Sequence, residues 1–79
     1  MFLEIICPEK KLYAGEVKLL HLPGSQGEFE VMDKHAPLLS TLRQGKLWIK
    51  PLQGDKTSFD IKGGVIEVLH NKVIVLAEV

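Results

Sequence analysis

The chain has 79 residues, 46% of them apolar, and its ten Lys and Arg balance ten Asp and Glu. That length supports one hydrophobic core, so residues 1–79 are expected to form one domain, and the charge balance leaves no electrostatic footprint for nucleic acid or an anionic membrane surface. The lone cysteine, Cys7, allows no internal disulfide, the opening residues lack the basic start of a signal peptide, and the longest apolar run, residues 73–77, falls far short of the ~20 residues a membrane helix needs, so no direct membrane insertion is expected.

Turn-forming residues at Pro8, Gly15, Pro23-Gly24, Gly27, Pro37, Gly45, Pro51, Gly54-Asp55, Gly63-Gly64 and Asn71 divide the chain into segments of strand length. Residues 2–7 place Leu3, Ile5 and Cys7 on one face of a first strand, and residues 16–22 end with Leu20 and Leu22 flanking His21 in a second. Gly24-Ser25-Gln26-Gly27 reads as a turn, followed by Glu28 and Glu30 on one face of a strand. Residues 33–43 change character: Asp33 can cap a helix start and Pro37 is tolerated near one, so a short helical turn or a loop is expected there rather than a strand.

Alternation returns in residues 46–50, where Leu47 and Ile49 face opposite to Lys46, Trp48 and Lys50, and in residues 58–62, where Phe59 and Ile61 do the same. Gly54, in the connection between them, accepts positive φ and predicts a hairpin. Gly63-Gly64 is expected to turn the chain into residues 65–69, and His70-Asn71 to turn it into residues 72–78. The fold class is therefore all-β, a small antiparallel β-sandwich. The last two segments are apolar on both faces, with Val73, Val75 and Ala77 opposite Ile74 and Leu76; this predicts cover on both sides, by loops of the same chain or by another subunit.

No residue pattern supports catalysis. His21, His35 and His70 are not paired at metal-ligand spacing, so neither a metal nor another cofactor is expected. His21 and His70 read as polar positions at a strand and a turn, and His35 reads as a loop brace before it reads as a catalytic base. Glu28 and Glu30 have no apolar pocket to separate their roles, the serines lack a nucleophile setting, and the Gly24-to-Gly27 loop lacks a phosphate-loop ending. Trp48 faces outward between two lysines and is the residue best suited to a partner surface, with packing beneath lysine stems as the alternative.

The run Leu22-Pro23-Gly24-Ser25-Gln26-Gly27-Glu28-Phe29-Glu30-Val31, then His35-Ala36-Pro37-Leu38-Leu39 and Gly45, resembles the epsilon subunit of F-type ATP synthases in order and spacing. The resemblance continues through Gly63-Gly64-Val65-Ile66-Glu67-Val68 and Asn71-Lys72-Val73-Ile74-Val75-Leu76-Ala77, and covers nearly the whole chain. It implies an N-terminal β-sandwich in the central stalk, with gamma and the c ring as partners, coupling ion translocation to ATP synthesis or hydrolysis without chemistry of its own. It implies a peripheral position at the cytoplasmic face of a bacterial inner membrane. By the same resemblance Gly27 and Glu28 face the c ring, while Cys7, His35 and Ser40 fall in gamma-facing regions. Epsilon subunits usually continue into two helices that inhibit hydrolysis or sense ATP; for a chain that is complete at Val79, both properties are expected to be absent. The charged pair Asp33-Lys34 departs from the Gly and Pro common in that family loop. A free-standing regulatory or ligand-binding β-sandwich is the second reading of the small size and the histidines.

Overall fold

Which side of each strand is buried follows from the alternation of apolar residues, and the pairing of strands follows from the turns between them. The computed structural model describes residues 1–79 and contains eight strands: β1 (Phe2–Ile6), β2 (Lys11–Gly24), β3 (Gly27–Met32), β4 (Leu38–Leu42), β5 (Gly45–Pro51), β6 (Thr57–Ile61), β7 (Gly63–Leu69) and β8 (Lys72–Glu78). No helix is present, in accord with the all-β expectation.

Strand β2 organises the body. Its first part pairs with β1 (Ile5 opposite Tyr13), and its second part lies between β3 and β5, with Leu20 opposite both Val31 and Ile49. One layer is thus β4, β7, β8, β1 and the first part of β2; the other is β3, the second part of β2, β5 and β6. A strand that passes from one layer to the other makes a corner of the sandwich. Val17 and Leu20 are both fully buried although an odd interval separates them, which strict alternation forbids. The register shift between Val17 and Leu19 absorbs the extra residue and keeps both inward.

One pair departs from a purely antiparallel sandwich: β1 runs parallel to β8, with Leu3 opposite Val73. It joins the two ends of the chain, where no hairpin sets the direction. Leu3, Ile5, Leu20, Leu22, Val31, Leu47, Ile49, Ile66, Val73 and Val75 meet in a single core that contains no buried polar residue. Each such Val, Leu or Ile contributes roughly 1.5–3 kcal/mol through burial.

Three expectations from sequence are corrected. Residues 33–43 contain strand β4 rather than a helical turn: residues 33–34 form a turn, residues 35–37 are irregular, and all five β4 residues pair with β7 while Leu42 enters the core. That non-local pairing overrides the local cap and proline signals. Gly63-Gly64 opens β7 instead of forming a turn, because β8 passes so close that a Cβ on Gly64 would strike the Leu76 carbonyl. Finally, of the two covers expected for the outer faces of β7 and β8, loops of the same chain do not supply one, since Val65, Leu69 and Leu76 are exposed. The predicted turns at Gly54 (φ 102°) and at His70 and Asn71 (φ 51° and 59°) are present. The last two consecutive positive φ values are those of a two-residue hairpin turn matched to strand twist.

Candidate partner surfaces

The outer face of the β3–β2–β5–β6 layer carries a charged and aromatic array. Leu20 and Leu22 point inward, so His21 between them must point outward, and the register places it opposite Glu30 on one side and Trp48 on the other. Its Nε2 lies 2.8 Å from Glu28 Oε1 and its Nδ1 lies 3.4 Å from Glu30 Oε2. The imidazole stacks on Trp48 with centroids 5.0 Å apart and planes 4° from parallel. Lys56 holds its ammonium 4.2 Å from the centre of the same indole, a cation–π contact.

Glu28 sits on a braced hairpin. The β2–β3 turn places Gly27 at φ 131°, in open space with no atom near an added Cβ, and Glu28 follows it, exposed, at the start of β3. Arg43 secures this tip from the β4–β5 connection: its backbone N–H donates to the Pro23 carbonyl at 2.8 Å and its Nε–H to the Gly24 carbonyl at 3.0 Å. Its guanidinium reaches Glu28 Oε2 at 3.9 Å. Thr41 adds a hydroxyl bond to Ser25 Oγ at 2.7 Å. The Glu28 side chain remains 60% exposed.

The second surface is the outer face of the β4–β7–β8–β1 layer. Leu39 (73% exposed), Val65, Leu69 and Leu76 (53% exposed) form an apolar area that the chain leaves uncovered. Shallow hollows of about 270 and 320 Å³ meet at Glu67 and Leu69 within it. Glu67 has no cation within salt-bridge distance, whereas Glu4 at the margin is held by Lys11 at 2.7 Å and Lys72 at 3.7 Å. Lys11 is the main reason the Glu4 carboxyl lies below its ordinary range, with Lys72 adding to the effect.

The residues that the resemblance assigned to gamma lie at different depths. His35 is exposed, and its Nδ1 meets the Ala36 carbonyl at 2.7 Å, a local brace. Its loop is tied down by Asn71: the Lys34 N–H donates to Asn71 Oδ1 at 2.7 Å, and Asn71 Nδ2 donates to Asp33 Oδ1 at 2.9 Å. The Met1 ammonium also donates to Asp33 Oδ1 at 2.9 Å. The Asn71 bond first, then the ammonium, holds the Asp33 carboxyl below its usual range. Asp33 in turn raises the amino terminus. Ser40 is half-buried on β4. Cys7 is only 5% exposed, its thiol donating to the Lys10 carbonyl at 3.3 Å, so its side chain offers no surface to a partner and only the backbone of its turn is available. Trp48 is half-buried, with His21 stacked on its ring and the Lys56 ammonium also held over it.

Sequence reasoning missed His21 as the hub that binds both carboxylates. The signal was present: counting outward from the Gly24-to-Gly27 turn sets His21 opposite Glu30. His35, by contrast, makes no hydrogen bond to a carboxylate. No group of three or more His, Cys, Asp or Glu side chains converges as a metal site.

A family model described as the β-sandwich domain of the ATP synthase delta/epsilon chain matches residues 1–79. The chain is 40% identical over 74 residues to the ATP synthase epsilon chain of Caulobacter vibrioides, covering 94% of this chain and 85% of that one. It is 42% identical over 76 residues to the epsilon chain of Chlorobium limicola, covering 96% and 86%. Against the epsilon chain of Alkalilimnicola ehrlichii it is 36% identical over 78 residues and spans only 56% of that protein. Among solved structures, a chain of the Tetrahymena thermophila mitochondrial ATP synthase central stalk and c ring superposes with a TM-score of 0.85 at 19% identity, covering 100% of this chain and 63% of that one. A chain of the Euglena gracilis mitochondrial OSCP/F1/c-ring assembly gives 0.85 at 20% identity, covering 95% and 48%. At such identities these two likenesses show a shared fold.

Proposed function

Because the chain belongs to the β-sandwich family of ATP synthase delta and epsilon chains, matched over residues 1–79, we propose that it is a rotor-stalk part that links gamma to the c ring and couples ion translocation to ATP turnover. The observation that carries this reading is the pair of unlike surfaces on the outer faces of the two layers. The uncovered apolar area around Leu39, Val65, Leu69 and Leu76 suits a packed, lasting contact with gamma. It adjoins the loop of His35 and the β4 strand of Ser40. The braced tip at Gly27 and Glu28 suits a polar, moderately strong contact with cationic groups on the loops of the c ring.

The domain itself makes and breaks no covalent bond in this reading; it transmits load. Its place is peripheral, at the cytoplasmic face of a bacterial inner membrane, and Trp48 contributes to the c-ring side by fixing the array around Glu28. Reconstitution with gamma and the c ring tests the assignment. The 79-residue chain is expected to co-purify with both, and Glu28→Lys is expected to weaken c-ring retention and the coupling of ion flow to ATP turnover while sparing gamma binding. Undiminished ion pumping with Glu28→Lys refutes the c-ring contact. A wild-type chain that captures neither partner refutes the role.

A further inference from the structure

Resting on that reading only for its consequence, we propose that His21 is the positioning residue of Glu28, and that its protonation decides whether Glu28 and Glu30 are held on the sheet or present their charge outward. Each ring nitrogen faces a carboxylate, Nε2 at 2.8 Å from Glu28 and Nδ1 at 3.4 Å from Glu30. A carboxylate only accepts hydrogen bonds, so both contacts need an N–H, and imidazole carries two N–H groups only as the cation. Neutral imidazole has one N–H for two carboxylates, and its second nitrogen then turns a lone pair toward an acceptor. The stack on Trp48, 4° from parallel, holds the ring plane and works against the rotation that would relieve this conflict. Loss of the proton therefore loosens one carboxylate and removes the cation that offsets their mutual repulsion.

Other charges around the group do not take over that function. Arg43 reaches only Glu28, at 3.9 Å, and also anchors the hairpin backbone. Lys56 is spent on the Trp48 ring, and Lys46 pairs with Asp60 at 3.8 Å on β6. Lys50 lies on β5 opposite Leu19, beside the Trp48 position, with no ion pair to either glutamate. The protonated trio of His21, Glu28 and Glu30 has a net charge of minus one and the deprotonated trio minus two, so a cationic partner meets a more anionic and more mobile Glu28 as pH rises.

The test follows side-chain resonances of the full chain by NMR from pH 5 to 8 as the imidazole titrates, about the range in which histidine changes charge. The Glu28 and Glu30 carboxyl carbons are expected to shift together with the His21 ring resonances, and that shared inflection is expected to vanish in His21→Gln. Carboxyl carbons indifferent to the His21 midpoint overturn the proposal; this comparison needs only the wild-type chain, should the variant fold poorly. In parallel, association with purified c ring is expected to tighten by about threefold to fivefold between pH 6 and 8, the size of an exposed ion pair, and to be flat in His21→Gln. Coupled carboxylates with no c-ring association at either pH leave the positioning role standing and remove the c-ring reading. Coupled carboxylates with association identical at both pH values remove Glu28 from the contact.

Discussion

Replacing Gly24 by Ala probes the joint that carries the Gly27–Glu28 tip. Gly24 is the last residue of β2, buried and paired with both Gly27 and Leu42. A Cβ there would lie 2.5 Å from the Gly27 carbonyl oxygen and 2.7 Å from a Phe29 ring carbon, both closer than real contacts allow. A backbone carbonyl cannot swing aside as a side chain can, so the strand pair must spread, at the overpacking cost of about 1–3 kcal/mol. For a domain of this size that corresponds to a fall in melting temperature of roughly 4–24 °C. Thermal unfolding monitored by circular dichroism measures it. A double-mutant cycle with Phe29→Leu separates the causes: removing the ring edge is expected to relieve part of the Gly24→Ala cost, giving a coupling above about 0.5 kcal/mol. Gly27→Ala serves as the control, because it meets no atoms and suffers only from its φ of 131°, so it is expected to be additive with Phe29→Leu. An unchanged melting temperature for Gly24→Ala, or additivity in its cycle, refutes the crowding argument.

Leu39→Asp changes a side chain that is 73% exposed, so stability is expected to move by no more than about 0.5 kcal/mol, while capture by gamma is lost; a soluble, folded variant that still binds gamma refutes the apolar contact. Asp33 has its pKa lowered by Asn71 and by the amino terminus, so its contribution to stability is present above the ordinary carboxylate value of 3.8 and is lost as pH falls through the lowered folded value. Urea unfolding is accordingly expected to show a steeper loss of stability in the wild type than in Asp33→Asn as pH falls below the ordinary carboxylate value of 3.8, and parallel profiles count against the Asn71–Asp33 tie. Glu4→Gln is expected to flatten the acid limb in the same direction, since Lys11 and Lys72 lower its pKa, and an unaltered limb counts against that pairing.

The parts of the fold that local chemistry dictates were legible in the chain. Leu47 and Ile49 are buried as their alternation requires, and His70-Asn71 forms the tight turn that its residue types favour. What was hidden depended on partners distant in sequence. Leu38–Leu42 becomes a strand because β7 offers it a full edge, and Gly63-Gly64 looks like a turn until β8 is seen to need the missing Cβ. The site shows the same division. Glu28 drew notice only through the family resemblance, since its own setting reads as a solvated face, whereas the place of His21 became visible only once register set Glu30 and Trp48 on either side. The outward alternation of Trp48 was readable, but its cover by Lys56 depends on how the β5–β6 connection folds back.

The geometry of β2 links the two surfaces in a way that matters for a part proposed to carry torque. Its 14 residues run through both layers, paired with β1 at the start and with β3 and β5 further on. The β1 side continues through β8 and β7 to the apolar face, and the β3 side ends at the braced Glu28 tip. A force applied at one surface thus reaches the other along covalent chain and ladder hydrogen bonds, without passing through a flexible linker. The side-chain core beneath that path contains no buried polar side chain, and His21, Glu28 and Glu30 lie outside it on the outer face of the sheet, so a change at that trio does not disturb the packing of the core. Grip and stiffness are consequently separable: substitutions at Glu28 or Leu39 are expected to release a partner from an intact body, whereas Gly24→Ala strains the joint itself.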